Sequence, residues 1–270
     1  MPPNPVSHAR TRTAATTSPE RPPTRTATLW YKRASRWRSD VSSEHTEPAA
    51  ARLVVISSGV SDPSTTRMLA ERIAQAAIDH IRRSGGQATV SFIDLAPIAA
   101  DIARSIVIGT PTEPVQKAIE QVAAADALIV STPTYKAGIS GLFKSFIDVL
   151  DNDLIVATPT ILAATAGTAR HAMVVDEQLR SLFAFLRALP VPTSLFAAPE
   201  DWADPALGKR INRAAAELAQ LVRLGARDAI ANAGWDGYNH QFDGNATRAD
   251  RTANDVDFDT DLMRLAAGGR

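Results

Sequence analysis

The side chains of Ser57, Ser61, Ser64, Thr65 and Thr66 are gathered between an apolar run at 53–56 and a helical pattern that begins at 65. A strand that feeds a helix through such a loop aims backbone N–H groups, hydroxyls and the positive end of a helix dipole at one point. That is an anion site, and its usual occupant is a phosphate held by charge-assisted hydrogen bonds. The alternative is that one serine, such as Ser64, caps the helix and the others are solvated. Because the loop follows the first strand of an alternating pattern, it points to a bound mononucleotide. It is not a Walker A loop, since no Gly-x-x-x-x-Gly-Lys-Ser/Thr occurs, and Gly59 stands alone without a dinucleotide fingerprint.

Two further stretches follow later apolar runs. After 127–131 the chain reads Thr132, Pro133, Thr134, Tyr135, Lys136, Ala137, Gly138. Pro133 stiffens the turn, Tyr135 offers an aromatic face, and Gly138 and Gly141 let backbone approach a flat ring. The plainer reading is an ordinary strand-to-helix turn with a surface tyrosine. After 160–166, Gly167 and Thr168 precede Arg170 and His171. Small residues there admit a ligand edge, and Thr168 and Arg170 offer hydrogen bonds. His171 is either a proton donor or a solvent-facing residue at a helix start.

Other chemistry is poorly supported. The chain has no cysteine, which excludes thiol catalysis, disulfides, thiolate metal sites and iron–sulfur clusters. The sequence around Ser140 is not a Gly-x-Ser-x-Gly elbow. His8, His45, His80, His171 and His240 show no metal-ligand spacing. Asp148 and Asp151 read as charges at a helix end rather than an acid–base pair.

The elements that must position these loops alternate. Strands are expected at 53–57, 88–95, 127–131, 160–166 and 192–196, and helices at 65–83, 115–125, 140–150, 172–189 and 205–223. An irregular stretch containing Pro97, Pro111 and Pro114 lies between the second strand and the second helix. Five strands alternating with helices predict an α/β sandwich with a mostly parallel sheet. In the strand order 2-1-3-4-5 the switch point lies between the first and third strands. The hydroxyl loop and the turn at 133–136 then face one crevice. Leu142, Phe143, Phe146, Ile147 and Leu150 form a wide apolar helix face, which either packs on its own sheet or meets a second subunit.

Residues 1–50, rich in Pro, Ser, Thr and Arg, read as a disordered extension, and 231–270, with seven aspartates, as a disordered acidic tail. The aromatic and basic cluster Trp30, Tyr31, Lys32, Arg33, Arg36, Trp37, Arg38 is either a docking segment or a solvated tail. Between them, 51–230 form one domain. A formal net charge of +0 gives no prior for nucleic acid or a membrane surface. No apolar run approaches the roughly 20 residues of a membrane span, and no signal-like segment lies near Met1. The expected compartment is the cytoplasm.

These three loops, in this order and at these strand ends, resemble the NAD(P)H-dependent FMN reductase family of the flavodoxin-like fold. The stretch 181–202 looks like an actinobacterial branch of it. The resemblance covers about 51–225 and neither tail. It implies a flavodoxin-like three-layer sandwich with a five-stranded parallel sheet. It also implies FMN as cofactor, with its phosphate at Ser57, Ser61, Ser64, Thr65 and Thr66. Pro133, Thr134, Tyr135 and Lys136 would contact the isoalloxazine, and Gly167 and Thr168 its other edge. Ser61 stands where many members carry an arginine, which would weaken FMN retention. The implied reaction is hydride transfer from NADPH or NADH to N5 of FMN, with no side chain required as acid or base. The implied partners are a flavin-dependent monooxygenase or another acceptor, and further copies of the chain in a homodimer or homotetramer. A quinone, azo or chromate reductase would use the same site. A non-enzymatic flavodoxin-like electron carrier would be more acidic than this nearly neutral core.

Overall fold

The computed structural model describes residues 50–234. The disordered readings of 1–50 and 231–270 fall almost wholly outside them. Among the described residues seven strands form one sheet: β1 (Ala51–Ser57), β2 (Ala88–Asp94), β3 (Ala127–Tyr135), β4 (Gly138–Ile139), β5 (Pro159–Thr165), β6 (Leu189–Pro190) and β7 (Leu195–Ala197). The helices are α1 (Thr65–Arg83), α2 (Ala99–Ile108), α3 (Glu113–Ala123), α4 (Gly141–Asp148), α5 (Arg180–Phe185), α6 (Pro205–Arg223) and α7 (Ala226–Gly234). A π-helical turn, Val175–Leu179, leads directly into α5.

The main path runs β2-β1-β3-β5, and β6 and β7 both pair with β5 at its outer edge. Every pairing is parallel except the short β3–β4 hairpin. Taken in chain order this is the expected 2-1-3-4-5 arrangement, with the fifth position shared by two short strands. Side chains alternate between two layers, as the period of a strand requires. Leu53, Val55, Ile129 and Ile161 pack with Leu69, Ile73, Leu207 and Leu218 of α1 and α6. Val54, Ile56, Leu128, Val130 and Leu162 pack on the other face with Ile119, Phe143, Phe146 and Phe183. Strands buried on both faces read as continuous apolar runs, which is how they appear in the sequence.

Strand β3 runs on to Tyr135, past the expected end at 131, β4 and α7 are additional, and three further stretches differ from expectation. The fifth strand, expected at 192–196, is split. Val191 N–H still donates to Thr160 O (2.9 Å), but Pro192 has no N–H to continue the ladder. Thr193 N–H turns instead to Glu217 Oε2 at 2.9 Å. Helix α2 occupies part of the stretch expected to be irregular. It has no side-chain cap and buries only Ile102 and Ser105, so its amphipathic signal is weak. The helix expected at 172–189 is a broken one: a 3-10 turn at Ala169–His171, the π turn, then α5. By contrast, the wide apolar face of α4 packs on its own sheet. Phe143, Phe146 and Ile147 are buried and Leu142 lies against the same cluster, so this face is not exposed for a second subunit.

On α1, burial holds the His80 imidazole below the ordinary histidine value, and the nearby Arg83 cation adds to this. The folded chain therefore binds fewer protons here than the unfolded chain. The stability this preserves is complete above the ordinary value of about 6.5 and is lost as pH falls through it toward the folded value. His80→Gln is expected to make the fall of Tm between about pH 7 and pH 5 shallower. Parallel Tm–pH curves for the two proteins would show that His80 carries no such linkage.

Candidate functional site

Three chain segments leave the carboxyl ends of β1, β3 and β5, and hydroxyl groups tie them together. Ser58, fully buried just after β1, donates its N–H to Ser131 O at 3.1 Å. Ser140 Oγ donates to Ser58 Oγ at 3.0 Å and accepts from Phe143 N–H at 3.2 Å, so it also caps α4. Thr132 Oγ1 lies 3.1 Å from Ser140 Oγ and accepts from Ser140 N–H at 3.2 Å. On the other layer, Thr66 Oγ1 and Thr165 Oγ1 share a hydrogen bond of 2.7 Å, and Ser131 Oγ donates to Thr66 O at 3.0 Å. Buried, satisfied networks of this kind rigidify what they connect. The three loops are held at one end of the sheet on both faces.

The hydroxyl loop itself is divided in its duties. Ser64 is the N-cap of α1, its Oγ accepting from Arg67 N–H at 3.2 Å. Thr66 is buried and its hydroxyl is committed to Thr165. Ser61 and Thr65 are exposed on the loop and the first turn. Ser57 is different: it is 1% exposed and its Oγ has no hydrogen-bond partner. A buried unpaired hydroxyl costs free energy, so its presence in a native core asks for a reason. The first N–H groups of α1 have no carbonyl to meet within the helix. Gly59 brings the loop close over them. A Cβ at this position would collide with Ser64 Oγ and lie 3.0 Å from Thr66 Cβ. Such a loop is able to receive an anion.

A cation lies nearby, but it is already engaged. Arg67 forms ion pairs with Asp94 and, at 2.8 Å, with Glu71, and its guanidinium sits 3.8 Å over the Phe92 ring. Desolvation alone would weaken its charge, and the two carboxylates more than offset that, keeping the pKa above the usual arginine value.

Pro133 is buried, Thr134 half-buried, and Tyr135 and Lys136 are exposed. Thr134 Oγ1 is a second buried hydroxyl without a partner. The turn between β3 and β4 is a two-residue loop in which Lys136 (φ 51°) and Ala137 (φ 63°) are both left-handed. This is the type I′ pattern, which favours Asn-Gly. Each side chain there costs about 1–2 kcal/mol. Residues held at such angles cluster at functional sites. Gly167 and Thr168 are exposed on the loop after β5, with open space where a Gly167 Cβ would be. Ala166 N–H donates to Ala197 O at 3.2 Å and ties the start of that loop to β7. His171 closes the 3-10 turn and is half-buried.

Ser58, Ser140 and Gln178 are site residues that the sequence reading missed. Ser58 sits within the hydroxyl loop, and Ser140 precedes an apolar helical run, the usual position of a cap. Gln178 carries no signal in its own segment. Its Oε1 accepts from Ile139 N–H at 3.0 Å and its Nε2 donates to Ala137 O at 3.1 Å. A cavity of about 490 Å³ opens far from these loops, beside Ala51, Arg52, Asp126 and Pro159 at the opposite end of the strands. It collects none of these hydroxyls.

Sheet order, helix layers and hydroxyl-bearing loops gathered at the switch point define a flavodoxin-like α/β protein. The model of the family described as NADPH-dependent FMN reductase matches residues 51–203. The chain belongs to that family of oxidoreductases. It is 37% identical over 178 residues to the NADH-dependent FMN reductase SfnE of Pseudomonas putida, covering 66% of this chain and 90% of that protein. It is 32% identical over 153 residues to an FMN reductase (NADPH) of Pseudomonas aeruginosa, covering 56% of this chain and 78% of that protein. Among solved structures, an oxidoreductase from Corynebacterium diphtheriae is 42% identical and superposes with a TM-score of 0.63, covering 65% of this chain and 98% of that one. Among the described residues no helix is long and apolar enough to cross a membrane.

Proposed function

We propose that this protein reduces FMN with NADPH or NADH, binding the flavin in the crevice between the ends of β1, β3 and β5. The observation that carries this reading is the orphaned Ser57 hydroxyl at the carboxyl end of β1, on the sheet face that packs against α1. A phosphate would satisfy that hydroxyl, and family membership makes FMN the mononucleotide. Ser57, Ser61 and Thr65 donate hydroxyls, and the N–H groups of Thr65 and Thr66 supply the helix end. Ser64 and Thr66 contribute mainly by shaping the loop, through the cap and the bond to Thr165. Pro133, Thr134, Tyr135 and Lys136 flank the ring on one side, with Thr134 Oγ1 free to donate to a polar ring atom. Gly167 and Thr168 border it on the other.

Held there, FMN would supply the redox chemistry, as acceptor for the hydride of a nicotinamide. The chain's residues bind and orient the flavin and shield it from water. None of them has to move a proton. Ser61 offers no positive charge in the loop, and Arg67 is held by Asp94 and Glu71, so the phosphate meets neutral donors only. This favours a flavin that exchanges with solution, to be passed to a flavin-dependent monooxygenase or another acceptor. Assembly as a homodimer or homotetramer is part of the same family reading and would use surfaces other than the buried face of α4.

Ser57→Ala is expected to weaken FMN binding by about 10- to 100-fold, the range of one hydrogen bond to a charged group. The flavin-free protein should lose no stability, because the variant deletes a buried hydroxyl that lacks a partner. Flavin fluorescence titration and thermal unfolding read the two effects. The activity is tested by mixing the FMN-loaded protein anaerobically with NADPH, and separately with NADH, at the flavin band near ~450 nm. Rapid bleaching, then turnover on added FMN, is the expected result. Tightly retained FMN with no bleaching by either donor would leave the electron carrier as the correct reading.

A further inference from the structure

We propose that Gln178 is a positioning residue: its carboxamide holds the turn at Lys136 and Ala137 in shape and thereby sets the Pro133–Lys136 segment for the flavin ring. The inference rests on the FMN-site reading above.

The turn has little to hold it by itself. Its two central residues are left-handed without being Gly or Asn, and the hairpin has only two pairs, Thr134 with Ile139 and Tyr135 with Gly138. Isolated hairpins are marginal in water. In a two-residue hairpin the pair next to the turn exchanges the ladder hydrogen bonds and the following pair does not. The Ile139 N–H therefore faces away from β3, where it meets Gln178 Oε1 at 3.0 Å. Gln178 Nε2 reaches the carbonyl of Ala137 at 3.1 Å. The carboxamide thus bonds β4 as a third strand would, with one acceptor and one donor bracketing Gly138. Its orientation is dictated, because an N–H only donates and a carbonyl only accepts.

Two features keep the carboxamide in place. Gly138 leaves room for it, since a Cβ there would stand 3.3 Å from Gln178 Oε1. The π turn that carries Gln178 is anchored by buried Val175 and Leu179. Tyr135 and Lys136, on the strand side of this turn, belong to the segment assigned to the ring.

The test compares the unaltered protein, Gln178→Ala and the double variant Gln178→Ala/Ala137→Gly. Amide hydrogen exchange at Ile139 is measured without flavin, and FMN affinity by fluorescence titration. Gln178→Ala is expected to speed Ile139 exchange and to weaken FMN binding by about tenfold. Glycine at 137 accepts the left-handed angle freely and should recover most of that affinity without restoring either hydrogen bond. Glycine also relieves strain in the fold, so Tm is measured beside affinity, and an affinity loss in Gln178→Ala fully accounted for by a fall in Tm would overturn the positioning role. Unchanged exchange at Ile139 would overturn the clamp. Faster exchange with unchanged FMN affinity would overturn the positioning role alone. Failure of the unaltered protein to bind FMN would overturn the site reading together with this role.

Discussion

Replacing Gly59 by alanine is expected to lower FMN affinity by about 30-fold or more while leaving the protein folded. The added Cβ would collide with Ser64 Oγ and crowd Thr66 Cβ, so the loop must lift or Ser64 must leave its capping position. Loss of a cap costs about 1 kcal/mol, which in a domain of this size lowers Tm by a few degrees. The larger effect falls on the ligand. The Ser57 hydroxyl and the first N–H groups of α1 must converge on one anion, and each charge-assisted bond is worth about 1.5–3 kcal/mol. Displacing one of them gives roughly the stated loss. Thermal unfolding of the flavin-free variant beside an FMN titration separates the two effects. Affinity equal to that of the unaltered protein would mean that the phosphate lies elsewhere.

Phe143→Ala should destabilise the protein more than Ser57→Ala, Gly59→Ala or Gln178→Ala. Phe143 is fully buried on the first turn of α4, its ring centroid 6.4 Å from that of Phe183, and it bridges the sheet to α5. Truncating such a ring removes its burial and leaves a cavity, at a cost of about 3–5 kcal/mol. Tm should fall by about 10 °C or more. Phe185→Ala, two residues beyond Phe183 but 66% exposed, is the control and should change stability by less than about 0.5 kcal/mol. Denaturant titration of both variants checks the contrast. Similar midpoints would mean that α4 does not pack as described.

Much of the fold is legible in the chain because long elements carry redundant signals. Helix α1 spans 65–83 as expected, with Ser64 as cap and one buried face, and α6 spans 205–223 with Asp204 as cap and Pro205 in its first turn. Shorter elements lack that redundancy. Helix α2 lies between two prolines and leaves Ile106, Val107 and Ile108 exposed, so no clean apolar stripe marks it. The split of the fifth strand turns on the missing N–H of Pro192 and on Glu217, which lies on a distant helix. At the site, residue types identify the hydroxyl loop but not the division of labour within it. Thr66 reads like its neighbours, yet its hydroxyl is spent on Thr165, ninety-nine positions away. Gln178 reaches the turn at 136–137 only because a π turn and two left-handed residues bring them together, and no local pattern encodes that meeting.

The measurement that most directly tests the central claim is the affinity of the flavin-free protein for FMN beside that for riboflavin, which lacks only the phosphate. If the β1–α1 loop is a phosphate cradle, FMN should bind about 100-fold more tightly, and Ser57→Ala should narrow that ratio while leaving riboflavin unaffected. Equal affinity for the two flavins would contradict the account, because the crevice would then hold only the ring and the hydroxyl loop would have no part in binding.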